Sequence, residues 1–142
     1  AAKIDTVLGD ARLSLEREAA NGELQRFDIF VVDAFSSDAI PVHLVTREAV
    51  ALYLRHLSGA NAVLAFHISN RFIDLKPVLL AISREQRLSS IDVHVKGSEW
   101  ILMSINPEML RLPDLIPVSE PLQTQQAFLW TDDFSNLTQV LP

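Results

Sequence analysis

The chain has 142 residues, of which 49% are apolar and 21% are charged, and this is enough apolar sequence for one folded domain with a hydrophobic core. Its net charge of −6 argues against nucleic acid and anionic membranes as partners, because both select for a basic surface. The chain has no cysteine, which rules out disulfides and thiolate metal sites and fits a cytoplasmic location. No apolar stretch reaches the roughly 18 to 20 residues that cross a bilayer.

The first part of the chain predicts strands that alternate with helices. An alternating β-branched segment at 3–8 predicts a strand, and leucines at helical spacing predict a helix at 11–20. The apolar run 27–33 then predicts a strand buried on both faces of a parallel sheet. A helix follows at 47–57, with Thr46 as its cap.

The second part predicts a strand, a helix and a terminal pair of strands. The apolar segment 62–68 predicts the strand, and Asp74 begins a helix at 75–87. Two further strands are predicted at 91–96 and 100–105, and we expect them to pair antiparallel because a short glycine-containing turn joins them.

The Pro-rich segment 107–127 predicts a surface loop with at most a short helical turn. The whole chain, 1–142, is therefore predicted to be a single α/β domain of the doubly wound class. Nucleotide-binding domains of that class open with a strand and a Gly-x-Gly turn, whereas all four glycines of this chain stand singly. We therefore expect the first two strands of the fold to be missing and the sheet to have a gap.

Polar residues at the predicted strand ends indicate a ligand site. Asp33 ends a buried strand, which is where open α/β sheets hold their ligands. The loop Asp33-Ala34-Phe35-Ser36-Ser37-Asp38 resembles the active-site loop of polyamine aminopropyltransferases. The resemblance is closest to spermidine-synthase-like proteins, including those fused to a membrane domain, which share His67-Ile68-Ser69-Asn70 and Trp130-Thr131-Asp132-Asp133.

This resemblance implies a partial Rossmann-like, class I methyltransferase-type sheet with flanking helices and a C-terminal strand pair. It implies transfer of an aminopropyl group from decarboxylated S-adenosylmethionine to a polyamine such as putrescine. By similarity, Asp33 is the general base or the orienter of the attacking amine, and Asp10 with Ala11 contacts the adenine. The residues implied in polyamine binding are Asp38, Ser36, Ser37 and Asn70.

Several of these residues have a second interpretation. Asp10 could instead cap the helix at 11–20, and Asp38 could be a solvated turn residue. The segment Asp38-Ala39-Ile40-Pro41 also departs from the Asp-Pro and Gly-Pro pattern usual in the enzymes. We interpret His67 as a structural residue rather than a catalyst, and Asp132 and Asp133 as caps of the last turn. The four histidines are scattered without ligand spacing, so we expect no metal site.

Three functions stay open at this point. The first is an aminopropyltransferase that is inactive as this chain alone, because the cofactor loop is absent. The second is a non-catalytic module that binds a nucleoside or an amine or assembles with other domains, and the third is a methyltransferase. Unpaired strand edges favour association, so we expect a homo-oligomer or pairing with the missing amino-terminal half. The resemblance also allows a longer protein fused to a membrane domain.

Overall fold

The computed structural model describes residues 1–34, 41–70 and 72–141. Within these ranges the chain forms a mixed α/β domain with three α-helices and a five-stranded open sheet. In chain order the elements are α1 (Ala11–Ala20), β1 (Ile29–Val32), α2 (Arg47–Arg55), β2 (Val63–His67), α3 (Lys76–Glu85), β3 (Ser89–Val95), β4 (Ser98–Ser104) and β5 (Ser119–Pro121). Among the helices of the described ranges, none is long and apolar enough to cross a membrane.

The strand order of the sheet is β1-β2-β4-β3-β5. β1 and β2 are parallel, whereas β4 is antiparallel to both β2 and β3, and β5 is antiparallel to β3. β1, β2 and β3 therefore run in one direction and β4 and β5 in the other. This mostly antiparallel sheet is compatible with a partial Rossmann-like fold. The predicted antiparallel pair is confirmed, and its turn contains Lys96 at φ 48° and Gly97 at φ 82°, the positive angles of a tight hairpin.

The three helices cover one face of the sheet. The ring of Tyr53 in α2 stacks on Phe30 of β1 with centroids 4.7 Å apart, and Lys76 of α3 contacts Asp92 of β3. α1 packs beside α2, and its Leu15 joins the same hydrophobic core. We call this the helix-covered face. Its fully buried sheet residues are Leu64, Phe66, Ile101 and Met103.

The opposite face of β1 is open to solvent, which corrects the prediction of a strand buried on both faces. Ile29 and Val31 are 66% and 51% exposed, while Val32, on the helix-covered face, is 6% exposed. β1 is the first strand of the sheet, so among the described residues no strand pairs with its outer edge. The apolar run correctly predicted a strand, but the coverage of its two faces depends on distant segments.

Local capping explains where the helices begin. The Asp10 carboxylate accepts a hydrogen bond from the Leu13 N–H at the start of α1, and the Thr46 hydroxyl accepts one from the Ala49 N–H at the start of α2. α1 has the predicted bounds, and Thr46 is the predicted cap. The N-cap of α3 is Leu75 rather than Asp74.

Two predicted segments differ from the structure. Residues 3–8 form no strand and are exposed, because an isolated strand leaves its N–H and C=O groups without partners. In the Pro-rich segment, β5 pairs with β3 where only a loop was predicted. Proline has no N–H to donate to a neighbouring strand. Pro121 is tolerated there because β5 is an edge strand, whose open side forms no ladder hydrogen bonds in the described part of the sheet.

Candidate functional site

Asp33, His67 and Ser69 form a hydrogen-bonded chain at one edge of the sheet. Asp33 follows β1 directly and His67 ends β2, and because these strands are parallel their carboxyl ends meet. Asp33 Oδ1 lies 2.7 Å from His67 Nδ1, and His67 Nε2 lies 2.8 Å from Ser69 Oγ. The predicted catalytic residue therefore has a histidine partner that the sequence did not assign to it.

The chemistry of the groups assigns the hydrogens in this chain. An ionised carboxylate can only accept, so His67 Nδ1–H donates to Asp33. In the neutral ring Nε2 then accepts the Ser69 hydroxyl, and Ser69 Oγ in turn accepts the Glu99 N–H at 2.8 Å. The ring of Trp100 stacks on His67 with centroids 4.5 Å apart. His67 is thus held on both nitrogens and on one ring face, as the structural interpretation predicts, yet it also orients Asp33.

Asp33 remains accessible although it is oriented. Its side chain is 60% exposed, whereas that of His67 is 25% exposed. A concave space of about 220 Å³ lies beside Asp33, and Ala11 lines it too. The structure therefore brings Asp33 together with Ala11, one of the two residues predicted to bind the cofactor. The remaining walls are mostly apolar, with Leu15, Phe30, Val32, Leu44 and Tyr53 among them.

Asp10, the other predicted cofactor residue, has both carboxylate oxygens occupied. Oδ1 accepts the Leu13 N–H at 2.9 Å, and Oδ2 accepts His43 Nε2–H at 2.8 Å. The bonds from Leu13 and then from His43 lower the pKa of Asp10 below its usual value. Asp10 therefore acts as the helix cap of the alternative interpretation, and its role toward adenine stays a prediction.

Of the four residues predicted to bind the polyamine, the structure describes one, Asn70. Asn70 follows Ser69 in the loop after β2, and its Oδ1 accepts the Phe72 N–H at 2.8 Å. This bond uses the amide oxygen of Asn70 and leaves its amide nitrogen as the donor group. The three others, Ser36, Ser37 and Asp38, lie outside the described residues.

Sequence reasoning missed an ion pair that joins α1 to the C-terminal segment. Arg12 binds Asp132 through both nitrogens of its fork, with Nη1 2.7 Å from Oδ1, and the Thr46 hydroxyl donates to the same Oδ1 at 2.7 Å. The hydrogen bond from Arg12 lowers the pKa of Asp132. The cap of the last turn is Asn136, not Asp132. No local signal indicates this pair, since 120 residues separate its members.

No model of a known protein family matches the chain. A polyamine aminopropyltransferase of Vibrio vulnificus (strain CMCP6) is 37% identical over 57 residues, which are 40% of this chain and 18% of that protein. The match is weak and partial, and it supports a distant, spermidine-synthase-like relationship. A membrane-fused parent protein stays a prediction.

Proposed function

We propose that this chain supplies the amine-binding side of an aminopropyl-transfer site. The group would pass from decarboxylated S-adenosylmethionine to a polyamine such as putrescine. The observation that carries the proposal is the oriented but exposed Asp33 carboxylate, bonded to His67 at the carboxyl ends of two parallel strands. The partial similarity to a polyamine aminopropyltransferase supports the same reaction class.

The reaction needs a proton acceptor beside the attacking nitrogen, and a carboxylate such as Asp33 can serve as one. Putrescine is protonated at neutral pH, so one nitrogen must lose a proton before its lone pair can attack the propyl carbon. The new N–C bond forms as the C–S bond breaks, methylthioadenosine leaves with the sulfur electron pair, and one proton is released. Asp33 would accept that proton on the oxygen that His67 does not hold, and the exposed carboxylate would pass it to water.

We also propose that this chain does not catalyse the reaction by itself. Nucleotide sites of this class approach the cofactor through a glycine-rich turn, and this chain has only four separate glycines. Ala11 beside Asp33 offers contact for the nucleoside, but Asp10 already uses both carboxylate oxygens within the protein. An Asp10 carboxylate engaged in this way is less available to an adenine amino group, which favours the second candidate, a non-catalytic module.

We propose association through the outer edge of β1. Among the described residues this edge has no neighbour, and Ile29 and Val31 present apolar side chains beside it. Unpaired apolar edges promote strand addition from another chain or segment. Light scattering coupled to gel filtration should show a dimer or larger species, and Val31→Lys should shift it toward monomer. A monodisperse monomer at high concentration would contradict the pairing.

Calorimetric titration of the full chain with putrescine and with methylthioadenosine tests the function. Asp33→Asn should weaken putrescine binding by roughly tenfold or more, since it removes a charged acceptor worth about 1.5–3 kcal/mol. Asp28→Asn is the matched control, because Asp28 is an exposed aspartate at the other end of β1 and, among the described residues, its side chain bonds only the Ser58 hydroxyl. Equal putrescine affinity in wild type and Asp33→Asn would exclude the role given to Asp33. Binding of methylthioadenosine without putrescine would favour the non-catalytic module.

A further inference from the structure

A second polar cluster lies on the helix-covered face, away from Asp33. It contains Asp92 and His94 of β3, Glu99 of β4, Glu120 of β5 and Lys76 at the start of α3. Asp92 lies directly opposite Glu120, and His94 lies directly opposite Glu99. Opposed residues of antiparallel strands share a face, as do residues two apart on one strand, so these side chains converge.

The distances within the cluster suit a small metal ion. His94 Nε2 lies 3.2 Å from Asp92 Oδ1 and 3.8 Å from Glu120 Oε1, and one ligand atom from each of the three residues lies within 4.8 Å of the others. A tetrahedral zinc ion with bonds of about 2.0–2.2 Å separates its ligand atoms by about 3.3 Å. The three side chains are therefore close to a chelating arrangement without large movement.

A buried oxygen without a partner points to the same place. The Asp92 side chain is 4% exposed, and Lys76 Nζ binds its Oδ2 at 2.7 Å. Its Oδ1 has no hydrogen-bond partner among the described residues, although it is close to His94 Nε2. A buried acceptor left unsatisfied costs about 1–3 kcal/mol, and more when it is charged. A cation bound between Asp92 and His94 would satisfy it.

The charge of the cluster also favours a divalent cation. The Lys76 ammonium binds the carboxylates of Asp92 and Glu99 and supplies one positive charge. The carboxylates of Asp92, Glu99 and Glu120 outnumber this single ammonium by two when His94 is neutral. One divalent ion would balance the excess.

We propose that Asp92 Oδ1, His94 Nε2 and the Glu120 carboxylate bind one divalent transition-metal ion of the zinc class. Carboxylate and imidazole ligands together suit zinc, whereas magnesium and calcium favour oxygen alone. The ion would clamp the short strand β5 onto β3. The spacing of histidines along the chain predicted no metal, because these ligands come from two strands and meet only through sheet register.

Isothermal titration calorimetry of the metal-free full chain with zinc chloride tests the site. One zinc per chain is expected, and hydrogen exchange at the backbone amides of Ser119 and Glu120 should slow when zinc is bound. His94→Gln and Glu120→Gln should each lower zinc affinity by roughly tenfold or more. Both positions are exposed, so these variants should fold, whereas replacing buried Asp92 could unfold the chain.

His43→Gln is the matched control for this site. The His43 side chain is 49% exposed and contacts one carboxylate, whereas that of His94 is 52% exposed and lies near three. His43→Gln should leave zinc affinity unchanged. Unchanged affinity in His94→Gln, the absence of a one-to-one zinc complex, or magnesium binding as tight as zinc binding would overturn the proposal.

Discussion

The two polar clusters of this sheet differ in burial although one residue links them. Glu99 donates its backbone N–H to Ser69 in the Asp33 cluster, and its carboxylate binds Lys76 in the Asp92 cluster. The Asp33 side chain is 60% exposed, whereas that of Asp92 is 4% exposed. An exposed, oriented carboxylate can meet a ligand, while a buried one must be compensated within the protein. The Asp33 cluster is therefore the one we propose for an exchangeable amine, and the Asp92 cluster the one we propose for a structural metal ion.

The largest expected effect is on stability, at the buried cluster. Lys76→Met would leave Asp92 without its ammonium partner, and breaking a buried pair in this way costs about 3–5 kcal/mol. Urea unfolding of the metal-free chain measures the loss. Lys3→Met is the control, because the Lys3–Asp5 pair is exposed and such pairs contribute about 0–1 kcal/mol. Equal losses in the two variants would remove the contrast between the clusters.

The next effect should appear in binding rather than in stability, at the exposed cluster. Asp33→Asn should change the free energy of unfolding by about 0.5 kcal/mol or less, because the side chain is largely solvated. Putrescine affinity should nevertheless fall, as proposed above. His67→Gln should weaken it less, since His67 orients Asp33 and would not touch the amine. A large stability loss in Asp33→Asn would instead make this cluster structural.

The smallest effect is a dependence of stability on acid pH. The pKa values of Asp132 and Asp10 are lowered in the folded protein, so the unfolded chain binds more protons around and below pH 4. Their contribution is present above the ordinary aspartate pKa and is lost as pH falls through the folded values. Between pH 6 and pH 3 the wild-type protein should lose free energy of unfolding, and Asp132→Asn should reduce this loss by roughly 1 kcal/mol or less. Urea unfolding across this pH range measures the difference. An acid limb that stays equally steep would assign the dependence to other carboxylates.

Local sequence signals were reliable where the cause is local. The bounds of α1 follow from its leucine spacing, and the Thr46 cap and the β3–β4 hairpin follow from side chains and glycine within a few residues. Asp33 was placed correctly at a strand end because an apolar run that stops at an acid needs no distant information. These signals depend on backbone hydrogen bonds and φ angles that neighbouring residues determine.

Failures occurred where a partner was required. Residues 3–8 have the pattern of a strand but no neighbouring strand among the described residues, whereas β5 ends in Pro121 but gains a neighbour in β3. The Arg12–Asp132 pair was not predicted because its two residues are far apart in the sequence and meet only when α1 and the C-terminal segment pack together.

Short-range periodicity and capping were enough to predict the α/β class, the starts of α1 and α2, the hairpin and the acid at the end of β1. Contacts between distant segments were needed to show that His67 holds Asp33, that His43 binds the second carboxylate oxygen of Asp10, and that Asp92, His94 and Glu120 converge. The physical reason is that register and burial are properties of paired strands and packed faces, which no single segment contains.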